Sequence, residues 1–269
     1  MRKLATAIVI AATVAGAGSG YAADEDTLDI GAYRLTFEDD FDELDVSPWG
    51  PDTTWIAHTP WSGDFGDAKF TNPREGFPFT VEDGVLRIEM RRDGEGKWQS
   101  GLLASVDRKG AGFSQKYGYF EMRAKFPAGE GVWPAFWLVG VERLAPDPEA
   151  TAEIDIVEHY GHASDRFSSS VHVWPIAKGV KKFSKTQRTS VEPGSLSENF
   201  NLYGASVDED KIRFYFNRRK VWEIDTPEAH KQPMFILIDL GLGAGWPTEN
   251  APNPAHMWVD YVRAYAREE

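Results

Sequence analysis

The 269-residue chain has no cysteine, so no disulfide framework can hold it together and the packed core must do so alone. It also lacks long apolar runs. The stretch from Leu4 to Val14 falls short of the roughly 20 residues that span a bilayer, and glycines follow it. No later segment is apolar enough to cross, so no membrane partner is expected for the mature protein. Positive charge is scarce: 29 Lys and Arg stand against 42 Asp and Glu, a net −13. A field of that sign repels phosphate, so neither nucleic acid nor an anionic membrane surface is an expected partner. Internal repeats, heptads and low-complexity blocks are missing too, and no segment carries a helical stripe.

The first 23 residues carry a targeting pattern. Arg2 and Lys3 form a charged start, Leu4 to Val14 an apolar run, and Gly16 to Ala23 a small-residue exit. A removable secretory signal is expected over residues 1–23, cleaved after Ala22 or Ala23. Residues 24–269 are then expected to form a single soluble domain, secreted to the periplasm or beyond, and monomeric. Ten Trp, nine Tyr and sixteen Phe give an aromatic content of 13%, more than a core of this size needs. Exposed rings suit stacking on sugar faces or on bases, and the charge disfavours bases.

Periodicity is two wherever it is readable. In "VLRIEMR" Leu86, Ile88 and Met90 alternate with Arg87, Glu89 and Arg91, and in "YFEMRAKF" Phe120, Met122, Ala124 and Phe126 alternate with polar neighbours. "IRFYFN" and "MWVDYVRAY" read the same way. Turn signals at Asp83-Gly84, Asp93-Gly94 and Pro127-Ala128-Gly129 separate such runs. The pattern predicts an all-β protein of many antiparallel strands, a sandwich or barrel.

Against that background "AEIDIVEHYGH", residues 152–162, is unusual, because three acids interrupt a β-branched strand. Alternation puts Glu153 and Asp155 on one face and Ile154 and Ile156 on the other. Glu158 has the wrong parity and in a regular strand would point into the core, where an unpaired carboxylate is very costly. A β-bulge at Ile156-Val157 restores it to the face of the other two. The glutamates would then lie about 13 Å apart at Cα. Leaning inward, their carboxyls would approach the roughly 5 to 6 Å of retaining glycosidases. Asp155 between them would share a proton or hydrogen bond with one and raise the pKa of the other. A solvated acidic face or a Ca²⁺ site is the alternative at this point.

The flanking strands are polar and aromatic. "GEGVWPAFWLVG" places Trp133, Ala135 and Trp137 opposite Pro134, Phe136 and Leu138, which suits a strand buried on one side and lining a cleft on the other. In "SSSVHVWP", Ser170, His172 and Trp174 share a face. His159 and His162 flank Glu158, but no third ligand at zinc-like spacing and no H-E-x-x-H accompanies them.

These segments, "YGYFEMRAKFPAGEGVWPAFWL", "EIDIVE", "NFNLYGASVDEDKIRFYFN", "PMFILIDLGLGAGWP" and "MWVDYVRAY", resemble glycoside hydrolase family 16 in matching order from about Asp39 to Arg267. The E-x-D-x-x-E trio resembles the bulged laminarinase-like, agarase-like and carrageenase-like members, not the unbulged E-x-D-x-E of lichenase-type members. The resemblance implies a concanavalin-like jelly-roll sandwich of two curved antiparallel sheets, whose concave face binds glycan, and retaining endo-cleavage of a β-linked polysaccharide. By motif position it makes Glu153 the nucleophile, Asp155 its assistant and Glu158 the acid/base. Trp133, Trp137, His172 and Trp174 would bind substrate. No cofactor is required, although a structural Ca²⁺ is implied at Glu38, Gly84 and Asp260.

Asp239 departs from the resemblance, standing where many members carry asparagine. The segment "PWSGDFGDAKFTNPREGFPFTVEDG" resembles members that cut succinoglycan-like exopolysaccharides, so a mixed β-1,3/β-1,4 glucan or such an exopolysaccharide is the expected substrate, ahead of β-1,3-glucan and galactan. Lys178, Lys181, Lys182, Lys185 and Arg188 are either a solvated loop or a contact for acidic substituents. A transglycosylase would use the same glutamates, and a glycan-binding module would keep the tryptophans without the acids.

Overall fold

Leu86, Ile88 and Met90 are fully buried in the strand Val85–Arg92, as alternation dictates. The computed structural model describes residues 26–61 and 63–268. The secretory signal expected at Met1–Ala23 lies outside them. No helix among the described residues is long and apolar enough to cross a membrane.

The strands form sheets of ten and nine. The larger runs Arg219–Asp225, Lys211–Phe216, Asn201–Val207, Gly118–Lys125, Ala255–Arg267, Val85–Arg92, Trp98–Ser100 and Lys69–Phe70, with Tyr33–Asp39 and Phe79–Glu82 paired alongside. The smaller runs Phe183–Ser190, Arg166–Pro175, Ala150–Glu158, Val132–Gly140, Met234–Leu242, Leu102–Ala104, Trp55–Ile56 and Val46–Ser47, with Ser114–Gln115 paired to the fifth. Pairing is antiparallel except for two-residue contacts between Val46–Ser47 and Trp55–Ile56 and between Lys69–Phe70 and Trp98–Ser100. The sheets are thus mixed at their margins, where short strands separated by long loops can run side by side.

One apolar layer joins the sheets. Ile88, Met90, Phe120, Met122, Met257 and Val259 from the larger meet Phe136, Leu138, Ile154, Ile156, Ile236 and Ile238 from the smaller. Burying each such side chain contributes about 1.5–3 kcal/mol, which makes this layer the main support of a chain without disulfides.

Two strands depart from simple alternation. Tyr119 and Glu121 sit on the face of Gly118–Lys125 opposite the core, yet both are fully buried. Leu28, Ile30, Tyr33, Tyr215 and Tyr265 pack around Tyr119, while Arg218 closes on Glu121 with bonds of 2.9 and 2.8 Å. In the last strand the core residues are Met257 and Val259, then Val262 and Ala264, a change of parity across Asp260. Arg123 pairs with Tyr261 and Ala124 with Val259, so Asp260 is the extra residue of a bulge, where a regular strand was expected.

Candidate active site

The acidic strand Ala150–Glu158 lies between the strands Val132–Gly140 and Arg166–Pro175. Asp155 stands opposite Ser170, and the next pair is Glu158 with Ser168, so three residues of one strand face two of the other. On the other side Val157 pairs with Phe136 and Asp155 with Trp137, leaving Ile156 as the inserted residue. This is the bulge expected from the parity of Glu158. Ile156 and Val157 both go into the core, and Glu158 emerges on the face of Glu153 and Asp155.

That face lines a cavity of about 300 Å³ bounded by Trp61, Phe65, Trp133, Ala135, Trp137, Glu153, Asp155, Glu158, His172, Trp174 and Asp239. All seven residues expected from the sequence to carry catalysis or bind substrate are among them. The two glutamates are held by matching bonds. Trp174 donates its indole N–H to Glu153 Oε1 at 2.9 Å, and Trp133 donates to Glu158 Oε1 at 3.0 Å. Tyr160 adds a longer bond to Glu158, 3.3 Å, and its ring stacks on Trp133. Each glutamate is fixed by an aromatic residue that also forms the wall, so its position and the shape of the cavity are coupled.

Burial dominates the electrostatics. Desolvation pushes Glu153 up to about 7, opposed by the Trp174 bond and reinforced by the charge of Glu158. Desolvation also raises Glu158, against the Trp133 and Tyr160 bonds. Asp155 is held well above the usual carboxylate range by burial, then by Glu153, Glu158 and Asp239. Four acids in one apolar enclosure cannot all be ionised, so the cluster retains protons at neutral pH.

His172 Nε2 lies 3.3 Å from Asp155 Oδ2. Burial holds the imidazole down at about 4, so it is neutral and this contact is not an ion pair at neutral pH. Glu153, Asp155 and His172 are also the only group of three His, Cys, Asp or Glu with metal-compatible spacing among the described residues, their ligand atoms lying within 4.8 Å of one another. His159 is elsewhere: it is buried against Phe126, its Nδ1 lies 3.3 Å from the Arg166 carbonyl, and burial keeps it down at about 4. His162 packs on Trp246.

Residues 66–263 match the family model described as glycosyl hydrolases family 16. The chain belongs to this family. Two curated relatives from Rhizobium meliloti, the endo-1,3-1,4-beta-glycanases EglC and ExsH, are 32% and 30% identical to it over 89% of its length. The chain spans about half the length of both, 53% in each case. Among solved structures, the laminarinase catalytic domain of Thermotoga maritima shares the fold, with a TM-score of 0.67 at 24% identity over 88% of this chain and 99% of that one.

The carboxylates among the calcium ligands that the family 16 resemblance implies are each paired with an arginine. Glu38 is bound to Arg263 at 2.7 Å and Asp260 to Arg123 at 2.6 Å, while Gly84 occupies the turn after Glu82 with φ of 73°. Both carboxylates already have a guanidinium partner, so a cation there would have to displace two arginines.

Several cavity residues of this family 16 chain carry no assigned role in the sequence reading. Trp61 and Phe65 come from the loop after Trp55–Ile56, packing edge-on to Trp137 and, for Phe65, Trp133. Loop aromatics have no periodicity to betray them. Asp239 was legible as the one acid in the apolar strand Met234–Leu242; it is fully buried, takes the Trp137 indole N–H on Oδ1 at 2.8 Å and leaves Oδ2 without a partner. Tyr160 was visible through its parity with Glu158. His230, whose Nε2 lies 3.1 Å from the Glu153 carbonyl, comes from a short turn far along the chain and gave no signal.

Proposed function

We propose that this protein hydrolyses internal bonds of a β-glucan with mixed β-1,3/β-1,4 linkages, or of an exopolysaccharide with such a backbone, retaining configuration at the anomeric carbon. The observation that carries the reading is the pair of glutamates that the bulge brings to one face of an aromatic cavity, each bound to a tryptophan of its wall. The endo-1,3-1,4-beta-glycanase relatives support the linkage, and the secretory signal read at Met1–Ala23 supports action outside the cytoplasm.

Glu153 serves as nucleophile and Glu158 as acid/base. Protonated Glu158 donates to the glycosidic oxygen as its bond to the anomeric carbon breaks, and the Glu153 carboxylate forms a new bond to that carbon. Esterification removes the charge of Glu153. With that repulsion gone, the pKa of Glu158 falls and it can accept a proton from the water that attacks the same carbon and frees Glu153. Asp155, between the two and beside neutral His172, holds a proton that it can share with Glu153, easing the ionisation that attack requires. The tryptophans supply faces on which sugar rings stack.

The test is reducing-end release from mixed-linkage β-glucan, laminarin, succinoglycan and agarose. Wild type is expected to cut a mixed-linkage polymer most readily, and Glu153→Ala and Glu158→Ala to lose activity. Added azide then separates the roles: with an activated glycoside, Glu153→Ala should give the glycosyl azide of inverted configuration and Glu158→Ala that of retained configuration. Activity surviving Glu153→Ala would overturn the reading.

A further inference from the structure

From Pro175 to Val191 the chain contains five cations and no acid, within a protein of net charge −13. Lys178, Lys181, Lys182, Lys185 and Arg188 are all exposed, and none of them forms an ion pair with a carboxylate among the described residues. The segment leads into Phe183–Ser190, the edge strand of the sheet that bears the cavity.

Register sorts these cations by face. Directly opposed residues of an antiparallel pair share a face. Arg188 pairs with Ser168, which pairs with Glu158; Thr186 pairs with Ser170, which pairs with Asp155; Ser184 pairs with His172, which pairs with Glu153. Lys182, two residues before Ser184, continues this face beside Trp174, and its Nζ lies 4.4 Å from the centre of that ring. Lys185 pairs with Val171 and belongs to the opposite face. Charge along an edge strand also deters edge-to-edge association, but that role requires no particular face.

We infer that Lys182 and Arg188 form an anion-recognising rim on the glycan-binding face, and that the β-glycan bound here carries acidic substituents, carboxylates in particular. Six residue steps lie between the two, about 20 Å at the usual rise, so the rim extends along the edge of the cavity-bearing sheet instead of marking one point. An acidic polymer approaching a protein of this overall charge is otherwise repelled. The rim gives it one edge where the sign is reversed, next to the tryptophan that holds Glu153.

This inference rests on the glycan-cleaving reading of the cavity, but its test is kept separate by measuring binding. Affinity electrophoresis of Glu158→Gln protein in gels containing unmodified or carboxymethylated mixed-linkage β-glucan gives a ratio of affinities. The ratio should favour the carboxymethylated polymer, fall about tenfold in Lys182→Gln/Arg188→Gln, stay constant in Lys185→Gln and collapse in about 0.5 M salt. A ratio unaffected by the double substitution, a Lys185→Gln effect of equal size, or retention by neither polymer would overturn it. Failure of wild type to cleave any glucan, with the charge-dependent ratio intact, would count against the catalytic reading alone.

Discussion

Trp174 donates its indole N–H to Glu153 from the neighbouring strand, 2.9 Å away, and this bond opposes the burial that raises the carboxyl. Removing it in Trp174→Phe keeps most of the wall and leaves Glu153 harder to ionise. The acid limb of the kcat/KM profile should move to higher pH, and kcat should fall by about tenfold to a hundredfold, the effect of one hydrogen bond to a charged group. A rise in KM with an unmoved acid limb would show that Trp174 only binds sugar.

The buried acids should make the protein less stable in base. A carboxyl whose folded pKa is raised contributes stability that is full below its unfolded value near 4.5 and is lost as pH rises through the folded value, about 7 for Glu153. Glu153→Gln should therefore be more stable than wild type at pH 8 by up to about 3 kcal/mol, with the difference shrinking toward pH 4. Thermal unfolding of both proteins across that range checks the sign.

On the opposite sheet the sign is reversed for Glu121. Burial pushes its pKa up, but the Arg218 bonds and the hydroxyls of Tyr119 and Tyr261 outweigh burial and hold it below the usual range. Its contribution is present above the unfolded value and is lost as pH falls through the folded one. Arg218→Ala would strand a fully buried carboxylate and should cost about 3–5 kcal/mol, measured by denaturant unfolding near neutrality. Arg218→Ala with Glu121→Gln should recover part of that loss.

Because Glu38 and Asp260 are already paired with Arg263 and Arg123, neither EDTA nor millimolar Ca²⁺ should shift the melting temperature measurably. A rise of several degrees with Ca²⁺, abolished by Asp260→Asn, would show that the cation displaces the arginines.

The sandwich and its acidic centre were legible because each depends on parity. Leu86, Ile88 and Met90 point inward in sequence and in structure, and the odd spacing of Glu158 demanded a bulge that Ile156 supplies. The same arithmetic was available at Val259-Asp260-Tyr261-Val262, where the core parity changes, but four aromatic or aliphatic side chains nearby blur the alternation. What parity cannot report is closure by distant loops. Trp61, Phe65 and His230 reach the site through tertiary packing, as does Arg218 its partner Glu121, and none carries a local pattern that foretells it.

The inserted Ile156 lies two residues from the end of its strand, so the slack it introduces stays local. Glu153 stands opposite His172 and Glu158 opposite Ser168, four strand steps apart despite five residues of sequence, so deleting one codon there would leave Glu158 on the cavity face by ordinary alternation at the same distance along the sheet. The two spacings that separate bulged from unbulged members of the resemblance are thus a single deletion apart, and what the extra residue adds is local twist beside Glu158, not distance from Glu153.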